Sequence, residues 1–243
     1  MKLQLSTWPE IEKYLDQSRG IVIPIGSTEQ HGPTGLIGTD ALCPEIIAEG
    51  MHAEGILIGP TLSIGMAQHH LGFPGSITLK PSTLMAVVVD VVGSLAVQGF
   101  ERIYFLNGHG GNIATVNAAF AEVYAESSLS GQAGGLHLKL ANWFAGKRVT
   151  RLSRELFGDA EGSHATPSEI SLTWHAYPDQ VRDVPLDPER APEGPIRDAS
   201  DYRKHFPDGR IGAESGLARR EHGRKLYEAA LADALEDYHG FLV

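Results

Sequence analysis

The chain has one cysteine, Cys43, in 243 residues, which excludes an intramolecular disulfide framework. It also lacks any run approaching the roughly 18 consecutive apolar residues that a membrane span requires. Charges are scattered through the opening MKLQLSTWPEIEKYL, where a signal peptide would carry an unbroken apolar core. The expectation from both is a cytoplasmic protein. Basic residues are scarce as well: 20 Lys and Arg stand against 30 Asp and Glu, for a formal net charge of −10 and a pI near 5.5. Without a basic surplus to neutralise phosphates, neither a general nucleic-acid binder nor an anionic-membrane binder is expected. The glycine-dense NGHGGN at 107–112 has neither the G-x-G-x-x-G spacing nor the G-K-[ST] ending, so no nucleotide cofactor is expected. There is no internal repeat and no low-complexity tract.

What remains, 42% of it hydrophobic, is enough to fill the core of one domain spanning 1–243. Two β-rich apolar runs, Ile21–Ile25 and Ile103–Leu106, each empty into a glycine-rich loop and then a helical pattern. That alternation implies a single-domain three-layer α/β/α fold with a mostly parallel sheet, whose ligand crevice lies at the carboxyl ends of the strands. Further helices are expected over 6–18, 40–53, 81–99 and 113–126, with short strands at 56–58 and 136–140. The Ser/Gly-rich 127–135 reads as a surface loop and 150–163 as a weakly patterned polar segment. The stretch 178–218, rich in Pro, Asp, Arg and Gly, reads as an irregular excursion that packs over the site or over a neighbouring subunit. A last charged amphipathic helix over 219–239 reads most simply as a solvated outer face.

The first strand's loop carries Glu29, His31 and Asp40, and the second carries His109 between glycines. Carboxylate with imidazole suits Zn²⁺, Mn²⁺ or Fe²⁺, and the strand ends would bring these four to one edge. The small residues around His109 let a metal or substrate approach and free the amides of Gly110 and Gly111 as donors. Residues 60–78 form a loop too long for an idle connection; its turn at 72–75 would present Ser76 to whatever binds. His69 and His70 within it read as substrate-contacting or structural, and Cys43 as a small buried residue. Trp143, just past a strand end, would wall a pocket. In HATPSE at 164–169, Thr166 and Glu169 match a capping box with Pro167 in the first helical turn, so spacing alone makes Glu169 a cap.

Taken in order, GSTEQHGP ending in Thr39 and Asp40, then FPGS at 73–76, NGHGGN, and HATPSE resemble the hallmark motifs of the creatininase (creatinine amidohydrolase) family. The resemblance covers most of the chain. It implies two divalent metal ions per chain in an α/β fold and a homo-oligomer, often a hexamer. By position, Glu29 and His109 would hold one metal, His31 the other, and Asp40 would bridge both. The glutamate that creatininase uses two residues after its N-G-H histidine is here Gly111, so the resemblance passes the fifth ligand to Glu169. It makes His164 the proton shuttle and Trp143 a pocket residue. Thr34, Gly35 and Leu36 in place of H-L-P, and Thr166 and Pro167 in place of G-E, weaken the case for creatinine itself. The expected reaction is metal-assisted hydrolysis of a small cyclic amide, a formamide or a related C–N bond. The alternatives are opening of a cyclic keto compound such as a keto-inositol, peptide-bond cleavage, or metal binding without catalysis.

Overall fold

Period-two alternation along the strands decides the layering. In the computed structural model, which describes residues 1–131 and 134–243, Ile21, Ile23 and Ile25 of β1 (Gly20–Ile25) face one core together with Ile103 and Phe105 of β2 (Arg102–Asn107). Val22, Tyr104 and Leu106 face the other. The first core is closed by α1 (Trp8–Leu15), α3 (Pro81–Ala96) and α4 (Ile113–Ser130). The second is closed by α2 (Thr39–Ala53), α5 (Lys147–Phe157), α6 (Pro167–Ala176) and α8 (Arg220–Leu242). Both faces are therefore covered, which is the setting in which parallel strands become continuous apolar runs.

The sheet has three parallel strands in the order β1-β2-β3, with β3 at His137–Asn142. Ile25 pairs with Asn107 and Asn107 with Asn142, so all three strands stop level and their loops open on one edge. The outer edge of β1 is covered by 57–62: Val22 N–H donates to Leu57 O at 3.0 Å, and Leu62 N–H to Pro24 O at 2.9 Å. The short strand expected at 56–58 is thus reduced to isolated bridges at Ile58 and Leu62.

Several expectations are revised by packing. Residues 147–157, cut in half by the 150–163 window, form α5, because Val149, Leu152, Leu156 and Phe157 make a narrow apolar stripe against the second core. Helix α4 continues to Ser130 through the expected loop; Ser128 Oγ donates to Tyr124 O at 2.8 Å, so the serines bond back along the helix. Gly131, with φ of 69°, ends it, and the part of that loop at 132–133 lies outside the described residues. Helix α8 is amphipathic, as expected: Leu226, Ala230, Ala234 and Tyr238 are buried along one side, and Arg224, Lys225, Glu228 and Glu236 are exposed on the other. The 178–218 excursion includes α7 (Ala199–His205) and is anchored on its own chain by Phe73, Tyr202, Phe206 and Ile211. Arg210, fully buried, holds it together, pairing with Asp208 at 2.7 Å and donating to Glu189 O at 2.7 Å and Pro188 O at 2.6 Å. The part from 199 to 218 is thus anchored within one chain, whereas 182–198 are largely exposed, Val184 and Ile196 among them.

Candidate metal centre

Three loops at the carboxyl edge are locked to one another by the backbone. Gly26 and Gly108, which follow β1 and β2, both pack so closely on the first turn of α2 that a Cβ on either would overlap Asp40 O. Their close approach sets Asp40 between the two loops. Gly38 is the N-cap of α2, so the Asp40 carboxylate is not spent on capping. In the first loop, Glu29 N–H donates to Ile37 O at 2.8 Å. In the second, Asn107 Nδ2 donates to His109 O at 2.7 Å, and Asn112 Nδ2 reaches back to Gly26 O at 2.9 Å. The two asparagines of NGHGGN thus fix the loop that carries His109.

The four strand-end candidates converge, and Glu169 joins them. His109 Nδ1 lies 2.8 Å from Asp40 Oδ2, and His109 Nε2 lies 3.3 Å from Glu29 Oε2. On the other side of Asp40, His31 Nε2 is 3.1 Å from Oδ1 and 3.9 Å from Glu169 Oε1. Two donor groups result, Glu29–Asp40–His109 and His31–Asp40–Glu169, each with ligand atoms within 4.8 Å of one another and with Asp40 common to both. A third overlapping group joins Glu29 and His31 to His164. Each imidazole has one nitrogen fixed from outside by a backbone carbonyl: His31 Nδ1 donates to Glu29 O at 3.1 Å, His109 Nε2 to Met66 O at 2.8 Å, and His164 Nε2 to Gln30 O at 2.8 Å. That leaves His31 Nε2, His109 Nδ1 and His164 Nδ1 facing inward, as metal-ligating or base nitrogens require.

These residues fit cations better than they fit one another. Glu29 Oε1, Glu29 Oε2 and Asp40 Oδ2 are buried without a hydrogen-bond donor, although imidazole nitrogens lie 2.8–3.3 Å away. Buried carboxylate oxygens without a partner are costly, and positive charge placed among them removes the cost. With protons alone to supply that charge, burial would lower the histidines, but the carboxylates outweigh it. Asp40 and Glu169 push His31 up to about 10, and Glu29 and Asp40 push His109 up to about 9. Burial raises Glu29 and Glu169 to about 7, while Asp40, despite its burial, is held well below the usual carboxylate range by His31 and His109.

Stability of the metal-free protein should follow. For His31 and His109 the folded value lies above the unfolded 6.5, so their contribution is complete below that pH and is lost as pH rises toward 9 and 10. Glu29 and Glu169 act in the same direction between 4.5 and about 7; Asp40 opposes only below 3.8. Burial lowers His70 and His164, so these two act in the opposite direction up to about 6.5 and drop out above it. Melting temperature of the chelated protein is therefore expected to fall from about pH 7 to about pH 9, and saturating Mn²⁺ or Zn²⁺ to flatten the decline. A melting temperature that rises across this range in the chelated protein contradicts the assignment.

A cavity of about 640 Å³ opens on the centre, lined in part by Gly110, Gly111 and Trp143. Ser76 is not among its lining residues: its Oγ accepts from Gln30 N–H at 3.1 Å, so the FPGS turn buttresses the first loop instead of meeting a ligand. At Gly111 a Cβ would overlap His109 Nε2, so no side chain fits there while His109 keeps this rotamer. Glu169 caps α6, its Oε1 accepting from Thr166 N–H at 2.5 Å in a complete capping box, and the same carboxylate faces His31 at 3.9 Å. Next to His164, Ala165 is buried at φ of 55°, a left-handed conformation rare for a residue with a Cβ and a local strain beside the centre.

Sequence reading missed a buried clamp behind the centre. Gln30 Nε2 lies 2.9 Å from Gly209 O, 2.9 Å from His70 Nδ1 and 3.2 Å from Tyr202 Oη, and His70 Nε2 is 2.9 Å from Glu29 Oε1. The local signals were the long 60–78 loop and His70 within it, read as substrate-contacting or structural; Tyr202 and Gly209 come from the excursion and carry no signal of their own.

The model of the creatininase family, described as creatinine amidohydrolase, matches residues 4–237. The chain belongs to the creatininase family. It is 33% identical over 168 residues to the mycofactocin precursor peptide peptidase of Mycolicibacterium smegmatis, covering 66% of this chain and 59% of that protein. The chain thus spans little more than half the length of that peptidase. With the creatinine amidohydrolase of Pseudomonas putida it shares 27% identity over 247 residues, 95% of this chain and 94% of that one. A solved structure of a manganese creatininase superposes with a TM-score of 0.86 over 99% of this chain and 98% of the other, at 22% identity, which shows the fold.

Proposed function

We propose that this chain is a metal-dependent amidohydrolase that holds two divalent cations and cleaves an amide or related C–N bond. The observation that carries this reading is the pair of donor groups joined through Asp40, with buried unpartnered carboxylate oxygens between them. Glu29 and His109 would hold one ion and His31 and Glu169 the other, with Asp40 shared between the two groups. Bound there, Zn²⁺, Mn²⁺ or Fe²⁺ supply Lewis acidity, acidifying a water and polarising the scissile carbonyl. Burial and the neighbouring His31 and His70 keep His164 neutral, well below the ordinary histidine value. With Nε2 fixed on Gln30 O, its Nδ1 is the base that takes a proton from the nucleophile and returns it to the leaving nitrogen. Trp143 gives the cavity an apolar wall, and Gly110 and Gly111 leave room beside His109 for the substrate.

Metal analysis with an amide panel tests this. Close to two divalent ions per chain, and hydrolysis of at least one lactam, formamide or peptide amide that chelation abolishes, are expected. Fewer than one ion per chain, not restored by added Mn²⁺ or Zn²⁺, rules the dinuclear reading out.

The reading extends to a homo-oligomer. Leu5 and Trp8, 82% and 74% exposed around the start of α1, are large apolar side chains that a neighbouring subunit would cover. Light scattering at micromolar concentration is expected to give a multiple of 26.2 kDa; a monomer at every concentration tested removes the proposal.

A further inference from the structure

Helix α5 carries arginines at 148, 151 and 154, and only the last is unused by the fold. Arg148 pairs with Asp233 at 2.8 Å and with Glu236 at 2.7 Å, and Arg151 pairs with Glu155 at 3.8 Å. The guanidinium of Arg154 is exposed and has neither an ion-pair partner nor a hydrogen-bond acceptor among the described residues. Acids near it in sequence are committed elsewhere: Glu155 to Arg151, and Glu161 to Ser168 Oγ. Arg154 lines the 640 Å³ cavity over the metal centre together with Thr150 and Ser153, which share its face of α5. Among the described residues these two hydroxyls have no partner either. Ser94 and Ser128, by contrast, bond back to Asp90 O and Tyr124 O at 2.7 and 2.8 Å, as helical serines commonly do. Arg154 is also the one lysine or arginine among the described residues that line this cavity. Its place in the last turn of α5 lets it offset the helix dipole, but any cation would serve there, and that role accounts for neither hydroxyl.

We propose that Arg154, with Thr150 and Ser153, is a specificity-determining site that receives a carboxylate of the substrate, so that the amide presented to the metals is carried on a short acid. The proposal rests on the amidohydrolase reading for the bond that is cleaved. A guanidinium fork matches the two oxygens of a carboxylate, and the hydroxyls add donors beside it. The charge decides between anions. One guanidinium balances a carboxylate, whereas a phosphate monoester, with nearly two negative charges, calls for a second cation that the cavity wall does not offer. Phe144 and Ile196, 38% and 39% exposed and lining the same cavity, give the methylenes of such an acid an apolar surface to lie against.

The test separates binding from turnover. Binding to the Mn²⁺-loaded protein is measured by calorimetry with ω-acetyl alkanoic acids of graded chain length, which have no C–N bond to cleave, against the matching alcohols and their phosphate monoesters. Turnover is measured as formate released from the corresponding ω-formamido acids and alcohols. The variants are Arg154→Gln, Arg154→Lys and Arg151→Gln, with metal content and circular dichroism followed in each. The wild type is expected to bind the best-fitting acid about tenfold or more tightly than its alcohol, as a charge-assisted hydrogen bond supplies. Arg154→Gln should abolish that preference with metal content unchanged, and Arg154→Lys, which keeps the charge and loses the fork, should retain part of it. Arg151→Gln removes a cation from the same helix but not from the cavity, so the preference should persist. With a formamido acid that is hydrolysed, Arg154→Gln should raise KM and leave kcat nearly unchanged, since the site touches no reacting atom. No preference for the acid at any chain length, or one that survives Arg154→Gln or falls equally in Arg151→Gln, overturns the proposal. A preference confined to the phosphate monoesters overturns the carboxylate assignment. Arg154-dependent binding of the acids without metal-dependent release of formate upholds the anion site and counts against the amidohydrolase reading instead.

Discussion

Replacing Asp40 with alanine is expected to reduce bound metal from near two ions per chain to well below one, and to lower turnover by at least about 10³-fold. Each of its oxygens faces a different imidazole, Oδ1 toward His31 at 3.1 Å and Oδ2 toward His109 at 2.8 Å, so its loss opens both donor groups at once. His31→Ala opens only one and should leave an ion on Glu29 and His109. The comparison is clean because Asp40 does not cap α2 and alanine is the best helix former, so the helix itself should survive. Elemental analysis gives the metal content. A second reading comes from melting temperature with and without chelator: the stabilisation that saturating metal gives the wild type should nearly vanish in Asp40→Ala. Metal content equal to that of the wild type would remove Asp40 from the ligand set.

Much of this centre was legible because its parts are local. Glu29, His31 and Asp40 occupy one strand-end loop, and His109 another; parallel strands ending level must bring such loops to one edge. The layering was legible for the same reason, since Ile21, Ile23 and Ile25 alternate with Val22 in a pattern only a sheet covered on both faces accommodates. Helix α8 was legible too, since Leu226, Ala230, Ala234 and Tyr238 recur at helical spacing among charged residues and mark the side that is buried. The clamp around Gln30 was not legible. Of its partners, His70 was read as substrate-contacting or structural, but Tyr202 and Gly209 lie 172 and 179 residues away, and a tyrosine and a glycine carbonyl advertise nothing in sequence. Ser76 shows the limit of a local motif: the turn was placed correctly, but its hydroxyl is consumed by Gln30 N–H.

Glu169 and His164 separate a structural from a chemical role within one six-residue segment. Glu169 Oε1 caps α6 at Thr166 N, and Glu169→Gln keeps an oxygen for that bond, so the helix should lose no more than about 1 kcal/mol. If capping were all, metal content and turnover would be unchanged. The carboxylate, however, also faces His31 Nε2 and belongs to the group completed by Asp40, so the neutral amide removes a negative charge from the second ion. Occupancy of that ion, or turnover, is expected to fall by an order of magnitude or more. His164→Asn should behave differently: its outer nitrogen bonds Gln30 O, which an asparagine amide also offers to do, while the inward Nδ1 is lost. Metal should stay near two ions per chain and turnover fall by about 10²–10⁴-fold, the range expected when a general acid–base group is removed. Should His164→Asn instead shed an ion, His164 is a ligand in the third group with Glu29 and His31, and the proton carrier has to be sought elsewhere. Near-normal turnover in both variants, on an amide that the wild type cleaves, would make this segment a scaffold and leave the second ion with His31 and Asp40 alone.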